Sequence, residues 1–224
     1  MSTLRVTGGL VHIRAGHTEN RVLTVRGRVL AENPAPAQAA VSATAGDGRP
    51  RRIHAAGASV VPLLVDTVFV DPEPPVASAF DLVPGNPATF AVIRGEVSAS
   101  RIRQMLVVSP ADLIAVVVDG ELVARLGAPV RPRESGGPAG PDPRLGPWSD
   151  AGRSMTQHLT ADGRYSETRG GRPDAYTGCF WLTGERITYL DDSGFWAFGQ
   201  FHRGVLHHAG FVLHRGDLPA GARE

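Results

Sequence analysis

The chain has 224 residues, with 23 basic against 22 acidic side chains and a formal net charge of +1; at about 100–200 residues per domain it holds one large or two small domains. There is no basic surplus for nucleic acid and no acidic tail for solvating a partner. Every basic residue is arginine, which excludes lysine Schiff-base chemistry, and the single cysteine, Cys179, excludes an internal disulfide and a cysteine-built zinc cage.

The first half is rich in β-branched residues. Leu4–Val6, Leu10–Ile13, Arg21–Val25 and Arg28–Leu30 read as short strands broken by glycine turns. Ala58–Val65 is a further apolar run, and Thr89–Arg94 and Leu113–Val118 are the strongest core strands. Asp119-Gly120 is a hairpin pair leading into Glu121–Arg125. Ala99–Val107 is the one short helix expected, capped by Ser98 or Ser100. The longest apolar runs fall far short of the roughly 18–20 residues that cross a bilayer. Met1–Leu10 lacks the apolar core of a signal peptide, so the expectation is a cytoplasmic protein with no membrane partner.

Gly127–Pro147 carries proline at 129, 132, 138, 141, 143 and 147 and shows neither helix nor strand periodicity. It reads as a stiff linker. The expected division is 1–127, a linker at 128–147, and 148–224. Of the 14 aromatic residues, 11 lie from Trp148 to Phe211, and five of the eight histidines lie from His158 to His214.

Within the first half, LRVTGGLVHI, VRGRVLA, IHAAGASVVPLLVDT, LVPGNPATFAVIRG and LIAVVVDGELVAR follow in order. This resembles the composite β-domain of metal-dependent amidohydrolases, in which a metal-binding barrel interrupts the sheet. The family carries a His-x-His pair after VDT; here Val68-Phe69-Val70 stands there, and these side chains offer a metal no lone pair. Only 13 residues separate Val70 from Pro84, whereas a barrel needs about 200–250. The resemblance therefore implies a β-domain without the barrel, its metal site or hydrolase chemistry.

The second half reads as a meander. Thr156–Leu159, Arg164–Glu167, Ala175–Leu182, Arg186–Leu190, Phe195–His202 and Val205–His214 are expected strands, joined mostly by short turns. Up-and-down closure would remove the sheet edges. The motifs DGRY, RGGR, AYTG, YLDD-GF and HAGFVL, in order across residues 154–215, are similar to a family of small bacterial proteins with a streptavidin-like, calycin-like barrel, first seen in a stand-alone agrobacterial protein. That resemblance implies a barrel with a ligand cavity and supplies no reaction.

Both faces of Ala175–Leu182 and Phe195–His202 carry aromatic residues, so alternation alone does not choose the interior. Tyr176, Trp181, Tyr189 and Trp196 are the aromatic candidates for ligand contact, each weighed against a role as core filling. Arg169 and Arg172 flank Gly170-Gly171 and could clamp a carboxylate or phosphate, or belong to a solvated polar loop. His207 and His208 point to opposite faces, so one faces the interior; His208 is the candidate acid or base, against a hydrogen-bonded core histidine. Asp191, before Asp192, is the other acid–base candidate, against an aspartate capping its own turn. Cys179 reads as a small core residue rather than a nucleophile.

The expected architecture is all-β: an N-terminal β-sandwich-like domain and a C-terminal streptavidin-like antiparallel β-barrel. The leading functional reading is a barrel that binds a small organic ligand through Arg169, Tyr176, Trp181, Tyr189 and Trp196, with neither metal nor cofactor. A metal-free isomerase or cyclase, with His208 or Asp191 moving the proton, is the second reading. The third is an interaction module that meets a protein partner, or a second copy, through the N-terminal domain.

Overall fold

The computed structural model describes residues 3–33, 51–63, 81–104, 107–130 and 140–216. Val68-Phe69-Val70 and residues 131–139 of the proline-rich stretch lie outside the described residues. The chain forms two compact units, residues 1–103 with 111–130, and residues 104–110 with 131–224.

The first unit is built from two sheets. β1 (Thr3–Thr7), β4 (Leu23–Arg26), β5 (Val29–Ala31) and β6 (Arg51–His54) form one, in the order β5-β4-β1-β6. The other has β2 (Leu10–Arg14), β3 (His17–Asn20), β7 (Ala58–Pro62), β8 (Phe90–Arg94), β10 (Leu113–Val118), β11 (Glu121–Arg125) and β12 (Ala128–Pro129), in the order β12-β11-β10-β8-β7-β2-β3. Leu4, Val6, Val25 and Leu30 from the first sheet meet Val11, Val60, Phe90, Val92 and Val117 from the second in one buried cluster. This is the expected sandwich. The continuous apolar runs of β7, β8 and β10 are buried on both faces, which is why they do not alternate.

Asp119 and Gly120 both have positive φ, as a two-residue hairpin turn between β10 and β11 requires. The helix is shorter than its sequence expectation. α1 covers Ala99–Arg103, with the Ser98 hydroxyl accepting from the Arg101 amide, and Val107–Val108 is strand β9 instead. Among the described residues no helix is long and apolar enough to cross a membrane.

His12 alternates with Val11 and Ile13 on β2 and so faces away from the shared core. It is 5 % exposed, and among the described residues neither ring nitrogen has a hydrogen-bond partner. Burial lowers its pKa, because the charged ring cannot be solvated. The unfolded chain therefore binds more protons than the folded one below the ordinary histidine value of about 6.5. Stability is complete above that value and falls as the pH drops towards the folded pKa. His12→Leu removes both unpaired nitrogens; it is expected to stabilise the chain by about 1–3 kcal/mol at pH 7 and to flatten this acid slope. Urea denaturation at pH 7.5 and 5.5 checks both.

The second unit is a closed barrel of eight antiparallel strands. They are β13 (Gly146–Asp150), β14 (Met155–Leu159), β15 (Arg164–Arg169), β16 (Arg172–Thr183), β17 (Arg186–Asp191), β18 (Trp196–His202), β19 (Val205–His208) and β20 (Phe211–Arg215). Each pairs with its chain neighbour, and β13–β20 pairing closes the ring. β9 adds to β18 at Trp196↔Val108 and Ala197↔Val107, as a ninth strand of the same sheet.

Two sequence expectations are corrected here. Val205–His214 is two strands, because Ala209 and Gly210 take φ of 48° and 80° and turn the chain. GPWSD at 146–150, read as the end of the linker and the start of the domain, is a full barrel strand.

The interior face is now fixed. Trp148, Met155, Leu159, Tyr165, Phe180, Ile187, Tyr189, Phe201, Leu206 and Leu213 form its buried cluster. The segment before β13 crosses one end: the Trp148 indole N–H donates 2.8 Å to the Arg144 carbonyl, and the Arg144 guanidinium donates to the Gly184 carbonyl.

Candidate functional site

The opposite end is polar inside. It is ringed by the turns at Gly170-Gly171, Ser193-Gly194 and Ala209-Gly210. Three strands place the side chains by simple alternation. Gln157 lies between Met155 and Leu159, Glu167 follows Tyr165, and His208 follows Leu206. Their apolar neighbours point inward, so these polar groups point inward too.

They form one network. Gln157 Nε2 donates 2.9 Å to Glu167 Oε1, and the Tyr189 hydroxyl donates 2.8 Å to Gln157 Oε1. Arg169 Nε donates 2.8 Å to Glu167 Oε2, and Nη2 of the same guanidinium lies 2.7 Å from that oxygen. His208 Nε2 stands 3.3 Å from Glu167 Oε1, and its Nδ1 faces the Phe198 carbonyl at 3.3 Å. Both neighbours of His208 are acceptors, so both contacts are satisfied when each ring nitrogen carries a hydrogen. The Tyr189 and His208 rings lie 4.3 Å apart between centroids.

The electrostatics follow from burial. Glu167 is 2 % exposed, and burial by itself would raise its pKa. The hydrogen bond and charge of His208, then those of Arg169, outweigh burial and hold the carboxyl below its usual range. The phenols of Tyr189 and Tyr165 are pushed up, chiefly by burial and further by nearby carboxylates.

The sequence candidates separate cleanly. Arg169 and Tyr189 belong to this network, and Tyr176 joins it at the opening. The Arg169 guanidinium carbon lies 4.5 Å from the Tyr176 ring centroid and 5.0 Å from that of Phe211. Tyr176 is 48 % exposed. Trp181 and Trp196 lie on the other face of the wall, where their rings stack at 6.1 Å.

His208 is interior, whereas His207 faces outward beside His202 and His214. Asp191 holds its own turn, accepting 2.7 Å from the Ser193 amide, with the Tyr165 hydroxyl at 3.4 Å. Asp192 pairs with Arg164 through both carboxylate oxygens, at 2.9 and 2.7 Å. Arg169 and Arg172 are cross-strand partners in a two-residue hairpin whose Gly170 and Gly171 have φ of 56° and 79°, so this is a tight turn and not the flexible loop the sequence suggested.

Sequence reasoning missed Glu167, Gln157, Phe211 and Arg153. The available signal was Gln157 in MTQHL and Glu167 in RYSETR, polar residues on the same alternation as Met155, Leu159 and Tyr165.

The family model described as Agrobacterium tumefaciens protein Atu4866 matches residues 141–215. The solution structure of the protein Atu4866 from Agrobacterium tumefaciens is 40 % identical, over 34 % of this chain and 98 % of that one, with a TM-score of 0.31. The chain belongs to the Atu4866 family. A comparison with curated proteins found no match. The Atu4866 segment contains all eight strands of the ring and every residue of the polar network, while β9 lies outside it.

On the outer wall of this Atu4866 segment, burial lowers the His207 pKa to about 4, with His202 and His214 adding like charge. Its folded value lies below its unfolded one, so its contribution is complete above about pH 6.5 and fades as the pH falls to about 4. His207→Gln is expected to make the urea midpoint less acid-sensitive across that window. Among the described residues no group of three or more His, Cys, Asp or Glu is placed to hold a metal ion.

Proposed function

We propose that this Atu4866-family barrel binds a small organic molecule at its polar end, and that Arg169 and Tyr176 make the contact. One observation carries the reading. A buried carboxylate and imidazole, with a half-buried guanidinium beside them, occupy an interior that Leu, Ile and Phe fill at the other end. Buried ion pairs give little stability over an apolar filling. A chain that keeps one beside a half-exposed aromatic ring has the composition of a ligand site.

The same geometry disfavours acid–base catalysis by His208. Glu167 has both oxygens occupied, and each His208 nitrogen faces an acceptor, so neither group offers a substrate an open position without rearrangement.

For the first unit, the reading as a composite β-domain without its catalytic barrel is supported by β7 and β8. They are adjacent antiparallel strands, bracketing the place where the resembling family inserts its barrel.

Incubating the purified full chain with a small-molecule extract, then following each compound by mass spectrometry before and after ultrafiltration, tests the binding reading. A compound retained by the wild type and lost with Arg169→Ala is expected. If nothing is retained above an unrelated control protein, the reading is wrong. If a retained compound changes in mass or retention time, the barrel is an enzyme.

A further inference from the structure

The Arg169 guanidinium is held from three directions. Its Nε and Nη2 edge is bound to Glu167 Oε2, and its plane meets the rings of Tyr176 and Phe211. A guanidinium has a second edge, the end-on fork formed by Nη1 and Nη2. No hydrogen bond from Nη1 is made among the described residues, and the side chain is 36 % exposed at the opening. Arg144, by contrast, donates its Nη1 to the Gly184 carbonyl at the other end.

The surrounding charge points the same way. The Glu167 carboxylate faces Arg169 on one oxygen and meets Gln157 and His208 on the other. Arg153 brings another guanidinium to the same rim, its carbon 4.0 Å from the Phe211 ring centroid, with Nη1 donating 2.5 Å to the Gly210 carbonyl. Asp150 is the acidic group beside it, and both its oxygens are engaged by backbone amides, those of Arg153 and Val212. The rim therefore presents a fixed, partly exposed guanidinium fork with aromatic walls.

We propose that the end-on fork of Arg169 seats an oxyanion, the carboxylate or phosphate of the small molecule, and that Tyr176 and Phe211 flank the apolar part attached to it. This rests on the reading of the barrel as a small-molecule binder and adds the chemical class of its ligand. Bidentate pairing of a planar fork with an oxyanion gives directional as well as electrostatic recognition. Lysine at the same place would supply the charge without the fork.

The test uses the full chain at low ionic strength and three matched probes: phenylacetate, phenyl phosphate and the neutral phenylacetamide. Calorimetric titration is expected to show at least one anion binding about tenfold or more tighter than the amide. The tighter anion tells carboxylate from phosphate. Arg169→Gln should abolish the anion preference, and Arg169→Lys should retain part of it. Tyr176→Leu keeps every charge and alters only an exposed ring, so it serves if Arg169→Gln fails to fold; it should weaken the anion several-fold.

Equal binding of amide and anions, or an anion affinity unchanged in both Arg169→Gln and Tyr176→Leu, overturns the oxyanion seat while leaving small-molecule binding standing. Absence of binding by either anion also overturns it. The extract experiment then decides separately whether the barrel binds anything.

Discussion

Glu167→Ala is expected to cost about 3 kcal/mol of unfolding free energy, because it leaves the Arg169 guanidinium without its counter-charge and the buried hydrogen-bonding atoms of Gln157 and His208 without their partner. The loss has a pH signature. The Glu167 pKa is lowered in the folded chain, so its contribution is complete above the ordinary carboxylate value of about 4.3 and is lost as the pH falls through the folded value. The wild type should therefore lose stability steeply in acid, and the variant should lack that part of the slope. Urea unfolding at pH 7 and pH 3 reads both. Combining Glu167→Leu with His208→Leu should recover the share of the loss that comes from stranding His208, since two apolar side chains replace that pair, while Arg169 lacks its partner in both variants. If the single and double variants are equally unstable, the Glu167–His208 pair is not what holds this end together.

Gly178→Ala should be comparably damaging for an unrelated reason. A Cβ at 178 would lie 2.2 Å from the Leu190 carbonyl oxygen and 2.8 Å from Tyr165 Cε1. Neither can move cheaply: one is the backbone of the paired strand, and the other is a ring packed edge-on against Tyr189 at 5.0 Å. The expected cost is about 3 kcal/mol, at the upper end for overpacking a core. Gly152→Ala is the control. A Cβ there would meet only Asp150 Oδ1 at 3.6 Å, and the change should stay within about 0.5 kcal/mol. Equal thermal midpoints for the two variants would contradict this account of the barrel wall.

Strand positions in the second unit were readable where short turns separate apolar runs, as at Thr183-Gly184-Glu185 and Arg203-Gly204. The interior face was not. Trp196 and Phe198 are buried although they point away from the barrel axis, so hydrophobicity marks both faces of β18 equally. β3 was hidden by its sequence, HTEN, which is exposed at every position and carries no alternation. The turn at Ala209-Gly210 was hidden because alanine seldom adopts positive φ.

At the site, Arg169, Tyr176, Tyr189 and His208 could be singled out by residue type. Glu167 could not, since its meaning comes from partners on two other strands, Gln157 on β14 and His208 on β19. Spacing along one strand gives no information about them.

β9 gives this barrel an edge partner that its eight-strand ring alone would not have. The chain leaves the sandwich after Arg103, contributes two residues to the sheet beside Trp196 and Ala197, and returns to complete the sandwich before the rest of the barrel begins. Transplanting residues 141–215 elsewhere would carry the closed ring and its polar end but leave a backbone edge at 196–197 bare, the kind of open edge that recruits a strand from any neighbour.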